Sequence, residues 1–119
     1  MTKWREIGQE ITTWITNYAT QNNIEALVIG VSGGVDSAVT STLCAKTGLT
    51  SIVLNMPIHQ KEEQIILSNQ HIEWLKSKFL NVESMYIDLT SQYDLFRKNL
   101  SQYNISPLAL ANTRARLRM

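Results

Sequence analysis

The sequence predicts an α/β fold built on a doubly wound parallel sheet. Three observations lead there. Ala26–Val31 is a short, continuous apolar run and Ile52–Met56 a second one interrupted only by Asn55, the pattern of strands covered on both faces rather than of half-exposed antiparallel strands. Each run is followed by a segment with apolar residues at helical spacing, so strands and helices alternate. The first strand meets its helix through Ser32-Gly33-Gly34-Val35-Asp36-Ser37, a glycine turn of the kind that sits at the carboxyl end of a parallel strand.

The elements follow in order. Trp4, Ile7, Ile11, Trp14, Ile15 and Tyr18 recur at helical intervals, predicting an amphipathic helix over Trp4–Tyr18 that ends before Asn22-Asn23. After the Ala26–Val31 strand and the glycine turn, Ser37–Thr47 reads as a helix carrying Ala38, Val39, Leu43 and Cys44, with Gly48 at its left-handed stop. Pro57 closes the Ile52–Met56 strand, and Lys61–Phe79 places Ile65, Ile72, Leu75 and Phe79 on a helix. Val82–Leu89 is the third strand. Thr90 or Ser91 is a candidate cap for a helix carrying Tyr93, Phe96, Leu100 and Tyr103. Asn104–Pro107 is a break, and Leu108–Met119 opens another helix.

No repeat, linker or low-complexity segment divides the chain, so residues 1–119 read as one domain. Arg114–Met119 is strong helix-forming sequence without a stop signal, and three strands are few for such a sheet. The expectation is the N-terminal part of a longer domain whose C-terminal remainder is absent.

Apolar residues make up 44% and charged residues 18%, a globular balance. A net charge of +1 leaves no electrostatic footprint for nucleic acid or an anionic membrane. Cys44 is the single cysteine, which excludes an internal disulfide or a cysteine-based zinc cluster. With no apolar signal core at Met1–Arg5 and no run of membrane-spanning length, a cytoplasmic protein is expected. Trp4, Trp14 and Trp74 are candidate core or subunit-interface anchors.

The glycine turn is where chemistry is expected. Helix N-terminal N–H groups lack intrahelical partners, and the macrodipole puts partial positive charge there. Glycines let the backbone close on an anion and form a nest of N–H donors. The turn lacks the Lys of a Walker loop, and Gly30, Gly33 and Gly34 do not have the spacing of a dinucleotide fingerprint. An apolar strand followed by S-G-G-V-D-S instead resembles the pyrophosphate-binding loop of the N-type ATP pyrophosphatases, which cleave ATP between its α- and β-phosphates. The competing account is a tight βα turn capped by its own Ser and Asp. Fixed donors around a leaving pyrophosphate need no reorganisation as charge develops. The dipole contributes only ~0.3–1 kcal/mol per exposed charge, so a cation must carry much of the rest.

Three segments narrow the resemblance. Gly30–Ala38 (GVSGGVDSA), Asn55–Gln60 (NMPIHQ) and Leu110–Met119 (LANTRARLRM) together resemble ammonia-dependent NAD synthetase, across essentially the whole chain. The resemblance implies an adenine nucleotide alpha hydrolase-like, Rossmann-like fold. It implies that ATP adenylates the nicotinate carboxylate of deamido-NAD and that ammonia then displaces AMP. It further implies that Gly30, Val31, Ser32, Gly33, Gly34, Val35, Asp36 and Ser37 bind ATP, that Asp36 binds Mg2+, and that Arg116 contacts deamido-NAD. A homodimer is implied as well, with the Trp4–Tyr18 helix a candidate for part of its interface.

The rivals are another amide- or amine-forming member of the superfamily, such as GMP synthetase, and a non-catalytic adenine-nucleotide-binding module. No acid, base or nucleophile is assigned. Leu54–Met56, at a strand's carboxyl end, is where a doubly wound sheet receives the adenosine, and plain apolar packing of Leu54 and Met56 is the competing account. Arg114, Arg118 and Asp88 receive no role, His59 reads as a loop residue, His71 as solvated and Cys44 as packing.

Overall fold

The computed structural model describes residues 2–119. In order along these residues run α1 (Thr2–Gln21), β1 (Ala26–Gly30), α2 (Val35–Lys46), β2 (Thr50–Asn55), α3 (Glu62–Lys78), β3 (Val82–Tyr86), α4 (Thr90–Asn99) and α5 (Pro107–Leu117). The strands form one parallel sheet in the order β1-β2-β3. Its register sets Ile29 beside Val53 and Val53 beside Ser84. Because side chains alternate across a strand, Ser51, Val53 and Asn55 turn to one face of β2 and are buried there.

That face carries the core. Val31, Ala45, Val53, Ile72, Leu75 and Val82 form one cluster, with Phe79 against it. Ala45 comes from α2 and Ile72 and Leu75 from α3, so both crossover helices pack on the same side of the sheet. α1 packs in turn on α2. The opposite pleat shows Val28 at 63% and Met85 at 52% exposure, with Ile52 and Leu54 half-buried. The apolar run of β1 therefore predicts two covered faces, and the described residues cover one. Its composition suits a second layer that they do not supply.

Local chemistry sets the boundaries. α1 ends where Asn23 takes φ 56°, bringing Ile24 N–H to the Ala19 carbonyl at 2.9 Å. Gly48, at φ 80°, stops the chain beyond α2 as its sequence predicts. β3 stops at Tyr86 rather than Leu89 because Asp88 accepts the Thr90 N–H at 2.8 Å and turns the chain into α4. Thr90 thus lies inside the helix rather than capping it. Ser106 caps α5 by accepting the Ala109 N–H at 3.2 Å, with Pro107 leading the first turn. Trp4 and Trp14 are 73% and 64% exposed, so neither is a core anchor, and Trp74 is only half covered.

Candidate nucleotide site

The glycine turn follows the strand exactly where parallel α/β sheets receive ligands, outside the strand's carboxyl end. Val31 is buried and its N–H donates to the Leu54 carbonyl at 2.8 Å, tying the start of the turn to β2. Gly33 takes φ 87°, a conformation L side chains rarely adopt. Gly34 is the N-cap of α2, and the first intrahelical bond runs from Ala38 N–H to its carbonyl at 3.2 Å. The N–H groups of Val35, Asp36 and Ser37 in the first turn thus have no acceptor within the helix. α2 begins at Val35, so Asp36 sits in the helix's first turn, exposed, rather than in the loop before it.

The two hydroxyls of the turn face each other. Ser32 and Ser37 Oγ lie 3.2 Å apart. Ser37 Oγ accepts the Ser32 N–H at 3.1 Å and donates to the Gly34 carbonyl at 3.3 Å. Ser32 Oγ accepts the Gly34 N–H at 3.3 Å. These are long, exposed contacts that anion oxygens can replace. The turn is backed by α3: a Cβ on Gly33 would come within 2.9 Å of the Gln64 carbonyl oxygen and 3.4 Å of Ser68 Oγ.

Beside the turn opens a cavity of about 230 Å³. Gly30, Val31 and Ser32 form one side, Leu54, Asn55, Met56 and Pro57 the carboxyl end of β2, and Arg118 the far wall. Its lining is largely apolar with a few convergent polar groups, as suits a nucleoside. The structure therefore brings the predicted loop and the Leu54–Met56 segment to one place. Arg116 is not there: it is exposed on α5 and does not line the cavity. Sequence reading missed Gln60, Ser68 and Arg118 as wall residues. The signal for Arg118 was available, because Arg114 and Arg118 share a helix face from which Arg116 points away.

Arg118 donates its Nε–H to the Met56 carbonyl at 2.9 Å and an Nη2–H to Gln60 Oε1 at 3.1 Å. Partial burial and the neighbouring Arg114 charge push its pKa down from a very high value, which leaves a guanidinium charged. Arg114 donates to the Tyr93 hydroxyl at 3.2 Å and sits over that ring.

His59, His71 and Asp88 each have a partner in the fold. His59, at φ 48°, donates its N–H to Thr90 Oγ1 at 3.1 Å, and its Nε2 lies 2.5 Å from Asp94 Oδ1. Both side chains are half exposed, so the pair is a surface latch between the β2–α3 loop and α4. His71 is only partly exposed: its Nε2 meets the fully buried Ser41 Oγ at 2.9 Å, and desolvation lowers its pKa. Asp88 is held below the usual carboxylate range, chiefly by its bonds with Thr90. Cys44 is buried and its thiol pKa raised, in keeping with a packing role.

Asp36 is the one carboxylate of the glycine turn, and among the described residues no three His, Cys, Asp or Glu side chains gather as a metal site. Magnesium commonly takes one or two carboxylates and completes its shell with phosphate and water oxygens. A single exposed Asp in the first turn of α2, beside the free N–H groups of the glycine turn, fits that mode, and no all-protein cage is present among these residues.

A parallel α/β sheet with a glycine turn at one strand end and a largely apolar cavity beside it is an arrangement suited to a nucleotide phosphate. The family model for NAD synthase matches residues 7–119, and the chain belongs to that family. It is 35% identical to the NH(3)-dependent NAD(+) synthetase of Mycoplasmopsis pulmonis over 115 residues, 96% of this chain and 42% of that protein. It is 29% identical to the enzyme of the same name from Carboxydothermus hydrogenoformans, covering 98% and 47%. Among solved structures, NMN synthetase from Francisella tularensis matches with a TM-score of 0.84 at 30% identity, over 96% of this chain and 46% of that one. NH3-dependent NAD synthetase from Campylobacter jejuni matches with 0.82 at 28%, over 98% and 48%. The chain spans about half the length of the curated relatives it matches.

Proposed function

We propose that this chain supplies the ATP-binding half of a synthetase that amidates deamido-NAD with ammonia, giving NAD, AMP and pyrophosphate. The observation that carries the reading is the Ser32–Ser37 nest opening beside the Leu54–Pro57 cavity in a chain of the NAD synthase family. Residues Gly30 to Ser37 hold the triphosphate, and the Leu54–Met56 segment takes the nucleoside. An oxygen of the nicotinate carboxylate attacks the α-phosphorus, and the bond to the bridging oxygen breaks, releasing pyrophosphate. Ammonia then attacks the acyl carbon, AMP leaves with its oxygen, and the added nitrogen loses a proton.

In this scheme the free N–H groups of Val35–Ser37 and the two hydroxyls receive the charge that builds on the departing pyrophosphate. Magnesium bound through Asp36 supplies charge neutralisation of the phosphates. Arg116, exposed on α5, contacts deamido-NAD, its fixed fork of donors suiting a phosphate or carboxylate. The exposed Trp4 and Trp14 on α1 fit a homodimer interface, and the protein works in the cytoplasm.

The test is to give the full-length protein ATP, magnesium, ammonium and deamido-NAD and to measure NAD, AMP and pyrophosphate. Equal amounts of the three products support the reading; NAD without stoichiometric AMP, or no turnover, sinks it. The likeness to a protein named NMN synthetase favours one second reading, a nicotinate mononucleotide acceptor. Comparing kcat/KM for the two acceptors in the same assay decides between them.

A further inference from the structure

Arg118 reaches further than the two acceptors it touches. Its Nη2–H donates to Gln60 Oε1 at 3.1 Å, and Gln60 Nε2 donates onward to Gln64 Oε1 at 2.9 Å. Gln64 carries the backbone carbonyl against which Gly33 is packed. That carbonyl also accepts the Ser68 hydroxyl at 2.9 Å, and Ser68 is buried in the cavity wall. A polar chain thus runs from the C-cap of α5, through the loop before α3 and the first turn of that helix, to the back of the glycine turn. α5 also packs on α4, and this chain together with the bond to the Met56 carbonyl links its end to the cavity.

We infer that Arg118 is a positioning residue for the nucleotide: through Gln60 and Gln64 it couples the seating of α5 to the shape of the ATP cavity. This rests on the ATP-site reading above. A guanidinium suits the task because it offers donors in one rigid plane and can hold a carbonyl and an amide oxygen at once. A lysine ammonium is a single compact donor site on a flexible stem and does not reproduce that plane. The coupling gives the cavity its full wall when α5, which also bears Arg116, is seated.

The experiment measures ATP affinity by calorimetry, and KM for ATP against kcat, in the full-length protein carrying Arg118→Ala, Arg118→Lys, Gln60→Ala and the Arg118→Ala/Gln60→Ala pair. Losing charge-assisted hydrogen bonds predicts an ATP Kd raised about tenfold or more in Arg118→Ala. Arg118→Lys stays near that value, and the double variant is little worse than the poorer single, since both break one chain. Thermal unfolding accompanies each variant. Wild-type affinity in Arg118→Lys overturns the inference, as do effects of the two Ala changes that simply multiply. So does an unchanged Kd with only a lowered Tm. If the wild-type protein binds ATP yet forms no NAD, the synthetase reading fails while the affinities still judge the coupling. A wild-type protein that does not bind ATP overturns both.

Discussion

The carbonyl oxygen of Gln64 lies where a side chain on Gly33 would have to begin, 2.9 Å from an ideal Cβ. Gly33 also holds φ 87°, so the position excludes a Cβ on both backbone and packing grounds. The glycine turn thus depends on α3, a helix that begins 29 residues after that glycine, for its backing.

Gly33→Ala tests that dependence. The left-handed backbone alone costs about 1–2 kcal/mol for a residue with a Cβ, and the clash with Gln64 forces the turn off α3. ATP binding falls sharply and the unfolding midpoint drops. Gly48→Ala is the matched control, because φ is 80° there but nothing lies within 4 Å of the added Cβ. It destabilises through strain alone and leaves ATP affinity intact. Equal effects of the two changes on affinity would refute a special role for the Gly33–Gln64 contact.

Asp36→Ala should abolish magnesium-dependent pyrophosphate release in the full-length protein and leave the fold intact. The side chain is exposed, and its interaction with the α2 dipole accounts for no more than about 1 kcal/mol of stability. Assaying pyrophosphate against magnesium concentration, alongside circular dichroism, separates the two effects. Undiminished activity would show that Asp36 is not the metal ligand.

Acid should weaken the fold in two windows. Desolvation beside Ser41 lowers the pKa of His71 below its ordinary 6.5, so the unfolded chain binds more protons there than the native one. Stability is full above 6.5 and declines as pH falls from 6.5 through the depressed native value. Asp88, whose pKa is depressed below 3.8 chiefly by Thr90, adds stability present above 3.8 and lost as pH falls through its native value. Unfolding midpoints at pH 7.5 and 5.5 in wild type and His71→Gln isolate the first window. The variant should lose less of its own stability over that interval, and identical losses would contradict the assignment.

Leu75 is fully buried in the one cluster joining α3 to the sheet, and Leu75→Ala should cost about 2–5 kcal/mol in chemical denaturation. Leu80, a few residues on, is completely exposed, and Leu80→Ala should stay within about 0.5 kcal/mol of wild type. A small loss at Leu75 would mean that α3 is not anchored there.

Local chemistry made most of the elements legible. The apolar runs of β1 and β2, the left-handed stop at Gly48 and the S-G-G-V-D-S turn all act through neighbours in sequence, and all appear where their residues place them. What was not legible acts at long range. Trp4, Ile11, Trp14 and Tyr18 of the apolar stripe are exposed while Thr12 and Ala19 are buried, because packing on α2 and not the apolar pattern sets which side of α1 turns inward. His71 looks solvated because its partner, Ser41, is a small polar residue 30 positions earlier on another helix.

The arginines of α5 divide the two kinds of knowledge most clearly. Helical phase by itself separates Arg116 from Arg114 and Arg118, since residues four apart share a face and residues two apart do not. Which of those faces turns inward is set by packing. Arg118 meets a carbonyl 62 residues earlier, at the end of a strand, and so becomes the wall of a cavity that no local pattern encodes. Local sequence was enough to place a glycine turn rich in free N–H donors between an apolar strand and a helix, because φ angles, N–H donors and the helix dipole are properties of adjacent residues. Packing determined what stands around that turn, because Gly33 and Gln64, or Met56 and Arg118, become neighbours only when apolar burial closes the chain on itself.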